Sequence, residues 1–399
     1  MKILIITNRL YPFGGAEMYA YVVGEELKKL GHNVQYFGIN YDYDSFKNDY
    51  GLYAKKSRTS CSIIKNRYNC KKLENLLKDF KPDLVHLHLI YFTLTPAIVY
   101  TIKKFNIPIV QTIHDSKWIC PNYQLFLPSK QIACFRCIDG HFFRCVRNKC
   151  FKNSFFLSYM SYLESNYYKK RNITSLIDLF IFPSDFMRDL HEKYGFNKNK
   201  CITLCNFSRL ESNRIADKNK IRDSNKYVLY FGRLSKEKGM ENLIKICKDL
   251  TGIRFVIAGE GEYSSLFKKI SNCDVVGFKN GEELSNLIAN SVCTIYPSIW
   301  YENCPLSVIE SICLGTPVVA SNIGGIPSLI NNGKDGFLVD SKDIKGFEQK
   351  ITYLFLNDDV RQSMRMCALK HSDVFSKKTH VNKIIHLYHE VIYGKQSAH

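Results

Sequence analysis

The chain has 399 residues, enough for two domains and long for a single core. A hydrophobic fraction of 45%, with 13% aromatic residues, excludes general disorder, while a formal net charge of +19 asks for an anionic partner: nucleic acid, a membrane face or a phosphate-bearing substrate. The opening MKILIITNRL is too short in apolar residues for a signal peptide, and no stretch reaches the roughly 18 apolar residues of a spanning helix, so a cytoplasmic location is expected, at most peripheral on the inner face of the plasma membrane.

From the N-terminus, Lys2 to Thr7 reads as a β-branched strand, NRLYPFGG as a loop and Ala16 to Leu30 as an amphipathic helix that Gly31 ends. Further strands are expected at Asn33 to Gly38, Asp83 to His88, Ile107 to Ile113, Leu176 to Phe182 and Cys201 to Leu204. Residues 116–172, rich in Cys, basic and aromatic residues, interrupt this rhythm as an insertion. The polar segment 208–226 reads as a linker. The opening pattern then repeats, with strand Lys226 to Phe231, loop GRLSKEKG and helix Met240 to Leu250. Strands follow at Ile253 to Ala258, Cys273 to Val276, Val292 to Tyr296, Pro317 to Ala320 and Gly336 to Val339.

Near-continuous apolar strands alternating with helices indicate α/β architecture with parallel sheets covered on both faces. The expected organisation is an N-terminal doubly wound domain over 1–207, the linker, and a second such domain over 227–374. A C-terminal helix within 375–399 should pack back on the first domain, and the active cleft should lie between the domains at the carboxyl ends of the strands.

The stretch WYENCPLSVIE, residues 300–310, puts Glu302 in a loop after a strand and Glu310 in a helix expected from Pro305 to Leu314. On a helical wheel Val308, Ile309, Ile312 and Cys313 form the apolar stripe, and Ser307 and Ser311 mark the opposite face. Glu310 falls between Leu306 and Leu314, a partly desolvated carboxylate in need of hydrogen-bond donors. The alternative for the pair is a solvated loop glutamate and a helix glutamate paired to a neighbouring Lys. Gly14-Gly15 before a helix offers backbone N–H groups to a phosphate, and Arg233 and Lys238 bring cations to the matching loop of the second domain. His114, ending a strand, can face a cleft, whereas His86 and His88 read as one core and one surface residue.

GGAE at 14–17, GRLSKEKG at 232–239, Glu302 and Glu310 with seven residues between them, CLGTPVVASNIGGIPSLI and DGFLV occur in one chain. That combination resembles the retaining, nucleotide-sugar-dependent glycosyltransferases of family 4 (glycosyl transferases group 1), which have the GT-B fold of two Rossmann-like domains. The resemblance implies a nucleotide-sugar donor, by default a UDP-sugar, and a glycan or lipid-linked acceptor, with a role in bacterial surface polysaccharide biosynthesis. It assigns Glu310 to the donor ribose, Glu302 to the donor sugar near the reacting carbon, and His114 to the far end of that sugar. Asn303, Cys304, Pro305 and Leu306 would turn backbone N–H groups towards sugar and diphosphate. Arg233 and Lys238 would hold the diphosphate, with Gly15 opposite, and Phe278 would lie by the base. No catalytic metal is expected, since fixed cations and a helix N-terminus can stabilise the departing dianion. The second domain has no obvious Asp-X-Asp metal clamp, and DYD at 42–44, which has that form, reads as surface. The pair Asn303-Cys304, where many relatives have a small residue, bears on which sugar fits.

Fifteen cysteines in a cytosolic chain read as thiols or metal ligands. Cys134, Cys137, Cys145 and Cys150 have spacings compatible with structural zinc, with free thiols and disulfides as alternatives. RCVRNKC and YLESNYYKKRN suit an anionic membrane surface or a merely solvated basic face. Competing readings are a hydrolysing nucleotide-sugar epimerase or a sugar phosphorylase on the same fold. A basic nucleic-acid-binding protein would leave Glu302, Glu310 and both glycine loops unexplained, so no nucleic-acid partner is expected.

Overall fold

The computed structural model describes residues 1–11, 14–41, 46–56, 64–130, 132–210 and 226–394. The DYD tripeptide and residues 211–225 of the expected linker lie outside the described residues. The chain divides into two compact units, one of Met1–Leu204 with Val381–His399 and one of Cys205–His380.

The first unit holds β1 (Lys2–Arg9), β2 (Asn33–Ile39), β3 (Leu84–Leu87), β4 (Ile109–Thr112), a small antiparallel hairpin β5 (Phe126–Leu127) and β6 (Ile132–Ala133), then β7 (Leu179–Phe182) and β8 (Cys201–Thr203). Its main sheet has the order β2-β1-β3-β4-β7-β8, and every pairing is parallel. The second unit holds β9 (Val228–Phe231), β10 (Phe255–Ala258), β11 (Cys273–Val275), β12 (Cys293–Tyr296), β13 (Val318–Ser321) and β14 (Gly336–Val339). Its order is β11-β10-β9-β12-β13-β14, again all parallel. This is the doubly wound nucleotide-binding order, in which the chain leaves the first strand in one direction and later returns to its other side.

Burial explains why sequence located these strands. β3, β4, β7, β9, β10, β12 and β13 are buried at every position, as strands covered by helices on both faces must be. Expected strand ends differ from the observed ones by a few residues, the largest change being at β7. There Ile173–Leu176 forms a 3-10 turn before the strand begins at Leu179. The insertion contributes the hairpin and two helices, Phe143–Arg147 and Phe155–Lys170. The last helix, Lys377–Tyr393, places Tyr388 in the first unit, where its hydroxyl lies 2.6 Å from His86 Nδ1.

Two expectations on local burial are corrected. His86 and His88 are both buried, at 0% and 1% exposure, because β3 lies inside the sheet and neither side of it faces solvent. Ser311 is buried too: its hydroxyl bonds Thr294 Oγ1 at 2.9 Å and Ser307 O at 2.7 Å, so two short polar side chains satisfy each other beneath the helix. Among the described residues no helix is long and apolar enough to cross a membrane.

Candidate active site

In the second unit the strand order reverses between β9 and β12, so the loops leaving their carboxyl ends border the crevice where such sheets hold ligands. The β9 loop closes with a 3-10 turn, Lys236–Lys238, and Gly239 at φ +77. A Cβ there would stand 1.8 Å from Pro297 O, so only glycine lets this loop touch the one after β12. The contact delivers Lys238. Its Nζ lies 2.5 Å from Glu302 Oε1 and 2.9 Å from Tyr296 OH.

Burial alone would lower the Lys238 pKa, but the charge of Glu302 and the contact with Tyr296 outweigh it, so the ammonium is held well above its usual range. The Glu302 loop is fixed from behind, where Gly325 N donates to Glu302 O at 2.8 Å and Gly324 sits at φ +61. A Cβ on Gly324 would meet Glu302 O at 2.6 Å, which makes glycine a condition of that loop's position.

The helix carrying the second glutamate runs Leu306–Cys313, with Pro305 at its N-cap and no side-chain cap. The first-turn N–H groups of such a helix start are suited to an anion. Glu310 is 2% exposed, and burial raises its pKa while Arg209 opposes the rise. Arg209 reaches Glu310 Oε1 from Nε at 3.3 Å and from a terminal nitrogen at 3.2 Å. Sequence reading placed Arg209 in the polar linker. No helical or strand periodicity ties residue 209 to residue 310, so nothing in the spacing could have found it.

Other expected residues are less enclosed. Arg233 is 69% exposed and pairs with Glu237 at 3.3 Å. Phe278 is 67% exposed, in the loop after β11, two strands and thus about 10 Å of sheet from β9. Asn303 and Leu306 are half-buried and Cys304 and Pro305 are buried. The hydrogen bond with Cys205, together with burial, pushes the Cys304 thiol well above its usual range.

The equivalent strand ends of the first unit are built differently. Gly15 opens the helix Gly15–Lys29 with open space where a side chain would be, whereas a Cβ on Gly14 would stand 2.9 Å from Glu17 Oε2. His114, just past β4, has Nε2 3.0 Å from His88 Nδ1 and stacks on that ring at 5.3 Å. The edge of Tyr19 meets it at 5.2 Å. Burial pushes the His114 pKa down to about 3, so the ring is a neutral hydrogen-bonding group at neutral pH.

Cys137, Cys145 and Cys150 are buried together with Phe142 and Leu127, and Cys134 packs against them. All four are free thiols. Among the described residues no group of three or more His, Cys, Asp or Glu is placed to hold a metal ion.

Comparison with known proteins agrees with this architecture. The profile of Glycosyltransferase Family 4 matches residues 13–211 and that of Glycosyl transferases group 1 matches residues 211–371. An uncharacterised 42.6 kDa protein of the Klebsiella pneumoniae cps region is 25% identical over 82% of this chain and 87% of its own length. An Escherichia coli UDP-Gal:alpha-D-GlcNAc-diphosphoundecaprenol alpha-1,3-galactosyltransferase is 29% identical over 43% of this chain and 44% of its own. The crystal structure of Anabaena HepE in complex with UDP-glucose superposes with a TM-score of 0.66 at 16% identity, covering 97% of this chain and 99% of that one. Two profiles that join at residue 211, on two doubly wound parallel-sheet units, make this chain a member of the family 4 glycosyltransferases, with the GT-B fold.

Proposed function

We propose that the protein transfers a sugar from a UDP-sugar to a glycan or lipid-linked acceptor with retention of anomeric configuration, in the building of a bacterial surface polysaccharide. The observation that carries this reading is the Lys238–Glu302 pair at the reversal point of the second sheet, with Glu310 buried on the next helix. A diphosphate entering there gains the Lys238 ammonium and frees the Glu302 carboxylate to accept from sugar hydroxyls. Arg233, exposed on the same loop, adds a second cation. As the bond from sugar to diphosphate breaks, negative charge grows on the leaving oxygens, and two fixed cations with a helix N-terminus stabilise it without a catalytic metal. The acceptor hydroxyl attacks from the face that the leaving group vacates, forming the new glycosidic bond and passing its proton to the departing diphosphate oxygen. Glu310 is assigned to the ribose hydroxyls, which replace Arg209 as its donors.

The Anabaena structure with UDP-glucose and the UDP-Gal-using relative support uridine as the base. The cps-region relative and the diphosphoundecaprenol acceptor of the Escherichia coli enzyme support a lipid-linked glycan.

An anionic membrane surface belongs to the same proposal. Phe155, Tyr159, Tyr162 and Phe143 follow one another as neighbouring rings at 6.5, 6.0 and 5.5 Å, and Phe155 and Phe143 are 59% and 46% exposed. Arg147 lies over Phe143 at 5.8 Å, and Arg144, Lys149 and Lys152 are close in sequence. Aromatic rings rimmed by cations suit an interface with anionic lipid. Flotation with vesicles containing phosphatidylglycerol, lost in Phe155→Ser with Phe156→Ser, is expected; equal flotation with neutral vesicles would remove the charge argument.

The packing of half-buried Cys134 against buried Cys137, Cys145 and Cys150 supports a structural zinc as a further proposal, although their present geometry does not form a ligand set. Stoichiometric zinc in the purified protein, lost in Cys134→Ser with Cys137→Ser, is the expected result; a metal-free, folded wild type overturns it.

The donor reading is tested by titrating UDP, GDP and ADP into wild type and Glu310→Ala by calorimetry at fixed salt. UDP is expected to bind wild type, with a loss in the variant on the order of 1.5–3 kcal/mol, roughly ten- to a hundredfold. Equal affinity for the variant overturns the role of Glu310.

A further inference from the structure

Away from these loops, the first unit contains a cavity of about 220 Å³ beside the helix Phe155–Lys170. Its walls are aromatic: Tyr91, Trp118, Tyr168, Tyr194 and Phe196, with Tyr91 and Trp118 packed edge to face at 5.4 Å. Exposed Lys169, Asn172 and Gly195 rim its mouth, with Ser165 and Thr174 beside them. At the floor Lys117 and Glu164, each with a side chain only 2% exposed, form an ion pair at 2.9 Å. Lys117 Nζ also donates to Pro121 O at 3.0 Å and Ser161 Oγ at 2.8 Å, so its hydrogen-bonding capacity is filled. Glu164 is short of partners. Its Oε2 takes the Lys117 ammonium, and among the described residues Oε1 and the neighbouring Ser165 Oγ have no hydrogen-bond partner.

A buried carboxylate oxygen left without a donor is costly, and a polar, roomy cavity beside it is where a ligand can supply one. The charges at the floor cancel, so the cavity asks for hydroxyl groups and not for a cation. Aromatic walls ask for a compact apolar face. A pyranose ring offers both, with C–H groups on its faces and hydroxyls around its edge.

We infer that the cavity between Trp118, Tyr194 and the Lys117–Glu164 pair is an accessory binding site for one neutral monosaccharide unit, free or at the end of a glycan. This site does not rest on the donor reading, since it shares no residue with Lys238, Glu302 or Glu310.

The chain has two tryptophans, Trp118 and Trp300, so a Trp300→Phe protein reports on Trp118 alone. Glucose, galactose, N-acetylglucosamine and glucuronate are titrated into it by fluorescence, with thermal melting as the folding control. A saturable change is expected with at least one neutral sugar, weakened roughly tenfold by Tyr194→Ala or by the exposed Asn172→Ala, and not displaced by UDP. A short oligosaccharide that binds tighter than its terminal sugar identifies a glycan end as the ligand; equal affinity identifies the free sugar. No saturable change with any of the four overturns the inference and leaves the cavity to water, as does a change that survives Tyr194→Ala. Glucuronate binding while the neutral sugars do not would overturn the neutral class. Failure of UDP to bind anywhere would sink the donor reading and leave this test intact.

Discussion

The two units repeat one local design, a buried strand, a glycine loop and a helix, yet they place opposite chemistry at its open end. In the second unit the strand ends gather charge: Lys238 against Glu302 and Arg209 against Glu310. In the first unit Arg9 and the buried Glu17 lie by the end of β1, but the end of β4 is occupied by uncharged rings, with His114 stacked on His88 and edged by Tyr19. The backbone therefore specifies where a site can be, and a few side chains decide what it does. On the proposed donor reading, a unit that handles a diphosphate needs cations with counter-charges waiting. A unit that meets neutral hydroxyls needs groups able to donate or accept without a net charge.

Removing the cation is the sharpest way to break this contrast. On the proposed donor reading, Lys238→Ala takes the point charge from the leaving diphosphate and leaves Glu302 without its ion-pair partner, so the expected loss in kcat is about a hundred- to a thousandfold. Transfer from radiolabelled UDP-sugar measures it, once UDP binding to the wild type has been established. A variant with more than a tenth of wild-type kcat would show that Lys238 acts on the structure of the loop and not on the leaving group.

The same loop tests the backbone separately from the charge. Gly239→Ala forces a side chain into φ +77 and against Pro297 O, and neither fault can be relieved by rotating a side chain. The expected cost is about 2–3 kcal/mol of stability in the second unit, read from urea midpoints at unchanged slope. A neutral result would mean that the β9 and β12 loops do not depend on that approach.

Acid should separate the units in opposite directions. His191 is fully buried in the first unit, and burial, partly offset by its bond to Met187 O, pushes its pKa down to about 4 from 6.5. The unfolded chain therefore binds the proton first, and stability present above pH 6.5 is lost as pH falls from there towards 4. The loss at pH 5 is roughly 2 kcal/mol from this residue alone, and His114 and His88 shift in the same direction. Glu310, whose pKa burial raises, has the reverse sign: its folded form favours the protonated acid, so lowering the pH relieves the second unit. Hydrogen exchange at pH 7 and pH 5 should show protection falling first in peptides around β4 and β7. Equal loss in both units, or no rescue of the first unit by His191→Leu, contradicts the assignment.

Sequence revealed the fold because parallel strands buried on both faces must be largely apolar, and each of the twelve strands in the two main sheets overlaps one expected from composition. It also singled out Glu302, Lys238 and Glu310 as candidates, since glycines and prolines around them mark loops and a helix start, and the structure pairs the first two. It did not find Arg209, whose contact spans a hundred residues, nor the Lys117–Glu164 pair, whose members lie on separate parts of the insertion. Such contacts come from tertiary packing and leave no local period. The misjudged His88 and Ser311 have the same origin, because a polar residue in a central strand or under a helix is buried when one specific neighbour satisfies it.

The smallest expected effect concerns Phe278, where the proposed donor reading has the charged unit also recognise a neutral, flat base. The ring is 67% exposed, so Phe278→Ala should leave stability within about 0.5 kcal/mol of wild type. Stacking of a base on an aromatic ring is worth roughly 1–3 kcal/mol in nucleic-acid complexes, and an exposed ring should give the lower end. UDP affinity is then expected to fall about fivefold, while inorganic diphosphate, which has no base, should bind the variant as it binds the wild type. If both ligands weaken together, the substitution has moved the loop after β11 and says nothing about stacking. If neither weakens, the base is held elsewhere along the carboxyl edge of the sheet, and Phe278 is an exposed aromatic residue of no consequence to the donor.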